Sequence, residues 1–286
     1  MKTIYQGSSG KAKTLELYDR QIAKLGRVCE DRFVETSFGT THFVVCGDED
    51  KPPLLVFHGG NSMTSYNLLM CSFLLDHFRV FAIDIVGHPG KSAETSLPPR
   101  GYQYGQWVNE AVAGLGLTKI RCFGGSFGAG VLAKFMCVAP EKIEKCVLIV
   151  PSGINNELPF GSARMMIPLI RYRMTKDPRF VREAALFMSI TDDALDQDTL
   201  DTVTCSFDCV KTKVGMPTNV DAELMNRCAA PTLVMAGELD CLFPARKVLP
   251  RAQEILPNCT TYELEGRGHM HVMTTAEKAM IVEFLA

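Results

Sequence analysis

From Lys51 onward the chain alternates short, continuously apolar runs with stretches of helical period. Leu54–Phe57, Phe78–Ile83, Ile120–Phe123, Lys145–Val150, Pro231–Ala236 and Thr260–Leu264 are short and rich in β-branched residues, and each reads as a strand. Helical pattern lies between them at about Ser65–Leu75, at Gln103–Leu115, from Ser126 to just before Pro140, and from about Pro244. Strands that are apolar on both faces and alternate with helices imply a mostly parallel central sheet with helices on both faces, an α/β fold. Ahead of this rhythm, Lys11–Leu25 reads as an amphipathic helix, with Leu15, Tyr18, Ile22 and Leu25 on one face and Gly26 as its stop. Arg32–Ser37 and Thr41–Cys46, separated by Phe38-Gly39-Thr40, read as a hairpin. At the other end, Thr274 and Glu277 have the spacing of a capping box opening a last helix.

The rhythm breaks between Pro151 and Leu224, where no buried strand is legible. Ser162–Met174 is helical but carries Pro168, which predicts a kink or a split. Asp177-Pro178 is an N-cap and first-turn pair for a helix over Arg179–Ile190, and Asp193–Val210 is a further helical stretch. The expected organisation is therefore a core made of residues 1–150 and 225–286, with 151–224 inserted as a helical cap.

Composition changes this picture little. The chain has 286 residues, 47% of them hydrophobic and 22% charged, enough for a full core. A net charge of −2 gives no electrostatic reason to expect nucleic acid or an anionic membrane surface as partner. No run reaches transmembrane length, and the first residues lack an apolar signal core, so a cytoplasmic protein is expected. The eleven cysteines are scattered without a Cys-x-x-Cys pair, which reads as free thiols of a reducing compartment and excludes a zinc site. No metal and no cofactor are expected.

Chemistry enters at Gly124-Gly125-Ser126-Phe127-Gly128, where a strand turns sharply into a helix. A serine at such a corner holds its hydroxyl out, and the flanking glycines admit the tight backbone. To act as a nucleophile it needs a base and a carboxylate that orients the base. Two later strand ends offer them: Glu238 or Asp240 after Pro231–Ala236, and His269 or His271 after Thr260–Leu264. In a parallel sheet these ends lie along one edge.

The segments HGGNS, DIVGHPGKS, GGSFG, GELDCLFP and GRGHMH occur in an order and spacing that resemble the α/β-hydrolases, closest to bacterial carboxylesterase-like members with a helical cap. DIVGHPGKS is one residue longer than the commoner loop of that family, a departure in the pocket wall. The resemblance implies Ser126 as nucleophile, His269 as base and Asp240 as acid, with the backbone N–H groups of Gly60 and Phe127 as oxyanion hole. Within it, the Gly-Arg-Gly before His269 favours that imidazole over His271, and the G-x-x-D spacing favours Asp240 over Glu238. His58 is expected to tie down the oxyanion loop, and Asn61 either to touch substrate or to cap the turn. The implied reaction is hydrolysis of a small-molecule carboxylic ester with an apolar acyl group. The same machinery could instead act on a thioester, lactone, amide or C–C bond, or survive in a non-catalytic binding protein. Met165, Met166, Met174 and Met188 are flexible and polarisable, and some of them are expected to line an acyl pocket over Ser126.

Overall fold

A computed structural model describes residues 3–159, 161–211 and 215–286; the expected cap thus includes positions 160 and 212–214, which lie outside the described residues. In chain order the elements are α1 (Gly7–Lys24), β1 (Cys29–Thr36), β2 (Gly39–Cys46), β3 (Pro53–Phe57), α2 (Thr64–Met70), β4 (Arg79–Ile83), α3 (Gln103–Gly114), β5 (Ile120–Gly125), α4 (Ser126–Val138) and β6 (Ile143–Ile149). They are followed by α5 (Met166–Thr175), α6 (Pro178–Ser189), α7 (Gln197–Cys209), α8 (Ala222–Asn226), β7 (Thr232–Gly237), α9 (Ala245–Ile255), β8 (Cys259–Leu264) and α10 (Thr275–Leu285).

The eight strands form one sheet in the order β1-β2-β4-β3-β5-β6-β7-β8, antiparallel at the β1-β2-β4 edge and parallel from β4 onward. The continuous apolar runs follow from this placement. In β3, Leu55 and Phe57 join the core under α3 and α4, with Trp107, Val131 and Phe135. Leu54 and Val56 point the other way, into the core under α1, α2 and α10, with Leu17, Leu68 and Ile281. A strand with both faces covered has no side left for polar residues.

Local expectations met different fates. Thr274 and Glu277 form a reciprocal capping box on α10, and Asp177 caps α6. Pro168 falls in the first turn of α5 rather than its middle, where its missing N–H has no intrahelical partner to lose; the split comes just before, at a 3-10 turn over Ser162–Met165. The single helix expected over Ser65–Leu75 is two pieces, because Cys71 leaves helical dihedrals (φ −109°, ψ 19°) and Ser72–Asp76 continues as a 3-10 turn.

The reading of all cysteines as free thiols is corrected. Cys29 and Cys46 are direct cross-strand partners in the β1–β2 register, with Cα atoms 4.5 Å apart, and form a disulfide. They stand 17 positions apart in the chain, so their pairing depends on the hairpin register. The other nine cysteines are free.

Among the described residues no strand lies between β6 and β7, and the expected boundary at 224 falls inside α8, which packs on α4 and α9. The rest of this segment is tied to the N-terminus. α1 packs against α2 and α7, the Gln6 N–H donates to the Cys209 carbonyl, and the Lys211 N–H donates to the Ile4 carbonyl. With this docking the buried face of α1 is wider than expected: Thr14, Leu17 and Gln21 are buried beside Tyr18, while Ile22 and Leu25 of the expected face are partly buried against the same core. Gln21 joins three helices, donating to Thr202 Oγ1 of α7 at 3.0 Å and accepting from Ser65 Oγ of α2 at 2.9 Å. Two polar positions thus sit in a buried face that apolar periodicity alone could not reveal. No described helix is long and apolar enough to cross a membrane.

Replacing Gln21 by Leu leaves the buried Ser65 and Thr202 hydroxyls without these partners. The expected loss is about 1–3 kcal/mol of unfolding free energy, read as a lower urea midpoint at constant slope.

Candidate active site

β5 runs between β3 and β6 and ends at Gly125, which is still extended (φ −112°, ψ 141°). Ser126 then takes φ +51°, a left-handed conformation costing a non-glycine residue about 1–3 kcal/mol, and α4 starts there. Its surroundings hold it in place. A Cβ at Gly128 would overlap the His58 carbonyl oxygen and lie 2.8 Å from Phe57 Cβ, so β3 approaches the corner as closely as a bare backbone allows. A Cβ at Gly124 would lie 3.0 Å from the Ala129 nitrogen, on the helix side of the same corner. Gly125 meets nothing within 4 Å. Ser152, just past β6, donates both its N–H and its hydroxyl to the Ser126 carbonyl, at 3.2 and 3.1 Å. The sequence reading missed Ser152; its place directly after a strand neighbouring β5 was the available signal.

The structure brings Ser126, His269 and Asp240 together from three strand ends. Ser126 Oγ is 2.8 Å from His269 Nε2, and His269 Nδ1 is 2.8 Å from Asp240 Oδ2. Asp240 is buried, and its other carboxylate oxygen accepts the N–H groups of Leu242 and Phe243 at 2.7 and 2.9 Å. Burial pushes its pKa up, but the attraction and hydrogen bond of His269 and the two N–H groups outweigh that and hold it below the ordinary value. It is therefore an anion at neutral pH. Glu238 accepts the Gly266 N–H at 2.8 Å at the surface, and His271 lies beside the cavity described below.

The Gly59-Gly60 loop lies against this corner, since a Cβ on Gly59 would be 3.9 Å from Ser126 Cβ and one on Gly60 would be 3.1 Å from Phe127 Cβ. Phe127 is in the first turn of α4, where helix geometry leaves N–H groups unpaired. His58 fastens the loop: its Nδ1 donates to the Gly59 carbonyl at 2.8 Å and its Nε2 accepts the Ile85 N–H at 3.1 Å. Both bonds require a neutral ring, and burial lowers its pKa accordingly. Behind it, His88 packs 4.5 Å from the Phe127 ring; burial, then the neighbouring His58, lower its pKa to about 3. Asn61 adopts φ +51° and lines the larger of the two cavities described below.

The longer loop after β4 is held from its first residue. Asp84 is fully buried and accepts from the Lys91 N–H at 2.7 Å, from Tyr18 Oη at 3.1 Å and from His42 Nδ1 at 2.7 Å. His42 reaches Asp31 through its other nitrogen at 2.9 Å. The loop is thus clamped to both β2 and α1.

Two cavities meet at Ser126 and His269, one of about 230 Å³ and one of about 340 Å³. The larger lies under the inserted helices, and its wall includes Met165, Leu169, Met188, Val203 and Phe207. Of the four methionines considered, Met165 and Met188 line it, Met166 lines a separate cavity between α5 and α7, and Met174 is 81% exposed. Met174 stands on the exposed side of α5, whose buried positions are Pro168 and Tyr172. Met216 and Met270 line the larger cavity and were not anticipated. Among the described residues, no group of three or more His, Cys, Asp or Glu side chains is gathered so as to hold a metal ion.

A family model described as "alpha/beta hydrolase fold" matches residues 52–276. Carboxylesterase YbfK of Bacillus subtilis (strain 168) is 24% identical over 268 residues, covering 89% of this chain and 86% of that protein. A second protein of that strain, named as an uncharacterized carboxylesterase, nap, is 22% identical over 286 residues, with 94% and 90% covered. The crystal structure of naproxen esterase (carboxylesterase NP) from Bacillus subtilis superposes with a TM-score of 0.80 at 20% identity, covering 96% of each chain.

Two glycines of one motif are expected to respond differently to substitution. Gly128→Ala should lower stability by about 1–3 kcal/mol through overlap with β3, whereas Gly125→Ala should stay within about 0.5 kcal/mol. Chemical denaturation of the two variants side by side measures the contrast.

Proposed function

Because the chain belongs to the α/β-hydrolase family, we propose that it is a serine hydrolase that cleaves a small-molecule carboxylic ester through an acyl-enzyme. Fold membership alone would not carry this reading. What carries it is the unbroken hydrogen-bond chain from Ser126 through His269 to Asp240, opening on cavities with room for both sides of an ester. The carboxylesterase names of the relatives at 22–24% identity agree with it.

In this reading Ser126 Oγ attacks the carbonyl carbon while His269 Nε2 takes its proton. Asp240, anionic and held by two backbone N–H groups, keeps the Nδ1 proton facing it and stabilises the imidazolium. The Gly60 and Phe127 amides receive the oxyanion, the contribution that is usually largest in such reactions. His269 then returns the proton to the leaving alcohol and activates a water that releases the acid. The strained corner keeps Oγ presented throughout, so no reorganisation is needed at the moment of attack.

We read residues 151–224 as the cap over this site, with the larger cavity as the acyl side. Its apolar wall suits a hydrocarbon acyl group, and Met165 and Met188 supply adaptable surface there.

Ser126→Ala should abolish both ester turnover and labelling by a fluorophosphonate while keeping the wild-type melting transition. Asp240→Asn should lower kcat by roughly 10²–10⁴, because the amide favours the wrong imidazole tautomer. Ester activity in the Ser126 variant equal to wild type would remove the nucleophile assignment.

Met188→Ala and Met165→Ala should shift the kcat/KM ratio between short and medium acyl esters by up to about 1–3 kcal/mol. Met174→Ala, on the outer surface of α5, should leave that ratio unchanged. Initial rates over a series of acyl lengths measure all three.

A further inference from the structure

The smaller of the two cavities at Ser126 carries a feature that ester hydrolysis by itself does not need. Much of its wall is apolar, including Phe123, Ile149, Val150 and Met273. Lys278, in the first turns of α10, also lines it, and is the one lysine, arginine, aspartate or glutamate among the described residues that do so. Its ammonium lies 5.9 Å from the Phe73 ring centroid and forms no ion pair among the described residues. The adjacent Glu277 carboxylate is turned to the Thr274 N–H, which it accepts at 2.6 Å in the capping box, and makes no ion pair with Lys278. Asp240, the acid of the site, is buried and bonded to His269. Among the described residues, no lysine, arginine, aspartate or glutamate lines the larger cavity. The cation also bears on the cavity's own lining: burial pushes the Cys71 thiol up to about 12 against the opposing pull of the Lys278 charge.

A cation without an ion-pair partner beside a largely apolar recess discriminates by sign. It attracts an anion, forms charge-assisted hydrogen bonds with it, and repels a second cation. His271 adds to the polarity without adding charge. Its Nδ1 is buried with no hydrogen-bond partner among the described residues, and burial holds its pKa below the ordinary value. The two cavities therefore differ in kind, one apolar beneath the inserted helices and one with a cation on its wall.

We propose that the smaller cavity is a subsite for an anionic group, with Lys278 as its specificity-determining residue, and that the preferred ester carries a carboxylate on the part of the molecule entering it. This rests on the reading of Ser126 as an ester-cleaving nucleophile. With the cap-side cavity read as the acyl side, the carboxylate belongs to the alcohol part, and the substrate class is an acylated hydroxy acid. The apolar remainder occupies the cap-side cavity.

The test compares kcat/KM, by pH-stat, for isosteric neutral, anionic and cationic esters. One set carries the charge on the acyl side: methyl hexanoate, the monomethyl ester of adipic acid and the methyl ester of ε-aminocaproic acid. The second carries it on the alcohol side: hexyl acetate and its ω-carboxylate and ω-ammonium counterparts. In the alcohol-side set the wild type should favour the anionic over the cationic ester by about tenfold or more. Lys278→Met should bring that ratio close to one, Lys278→Glu should invert it, and Lys278→Arg should preserve it. Equal rates for both charges in the alcohol-side set, or a preference that survives Lys278→Glu, would overturn the proposal. If neutral esters are cleaved and Ser126 is labelled by a fluorophosphonate without any charge preference, the subsite falls and the esterase reading stands. If no ester is cleaved and Ser126 resists the label, the esterase reading falls and takes the subsite with it.

Discussion

The close approach of three backbones at one corner is the constraint on which the rest of this structure depends. β3 passes so near the start of α4 that Gly128 has no room for a Cβ, and α4 folds back on β5 so tightly that Gly124 has almost none. Between them Ser126 is held at a positive φ that only surrounding structure could enforce. Everything chemically useful is arranged around that geometry: the hydroxyl points out, the first turn of α4 offers free N–H groups, and the Gly59-Gly60 loop lies alongside. The Ser152 side chain and backbone hold the Ser126 carbonyl from the β6 side, so the strain is shared by the sheet rather than borne by the loop.

A second layer of polar contacts holds this corner steady. His58, neutral and bonded through both nitrogens, links the Gly59 carbonyl to the backbone after β4. Asp84 lies in that same segment and gathers β2, α1 and its own loop through a buried carboxylate. Neither residue touches the reacting atoms. Their effect is positional, and it works because buried polar groups tolerate few alternative partners.

The same logic connects the N-terminal helix to the site. α1 is a core helix on one side and a docking surface for α7 on the other, with Gln21 bridging α2, α7 and α1 itself. α7 contributes Thr199, Thr202, Val203, Ser206 and Phe207 to the larger cavity. A segment far from Ser126 in the chain thereby sets the position of a wall that faces it. The two cavities at Ser126 differ in lining: the larger is mostly apolar, and the smaller counts Lys278 among its lining residues.

What the sequence alone determined is whatever depends on local pattern. Apolar runs of strand length, the glycine-flanked Ser126 corner, the Asp177 N-cap and the Thr274–Glu277 capping box are encoded within a few residues, because their physics acts over a few residues. The order Ser126, Asp240, His269 was legible as a motif order, although nothing in a linear chain states that three strand ends converge within hydrogen-bond distance. Tertiary structure decided what depends on register and on facing partners. Cys29 and Cys46 meet because the hairpin register sets them opposite one another, which the thiol count could not reveal. α1 buries Gln21 because α2 and α7 present hydroxyls to it, and Thr14 beside the Cys205 thiol of α7, which a hydrophobic stripe could not reveal. Met188 reaches the cavity and Met174 does not, although both have the same chemistry, because the direction of a side chain on a helix acquires meaning only once the helix has something to pack against.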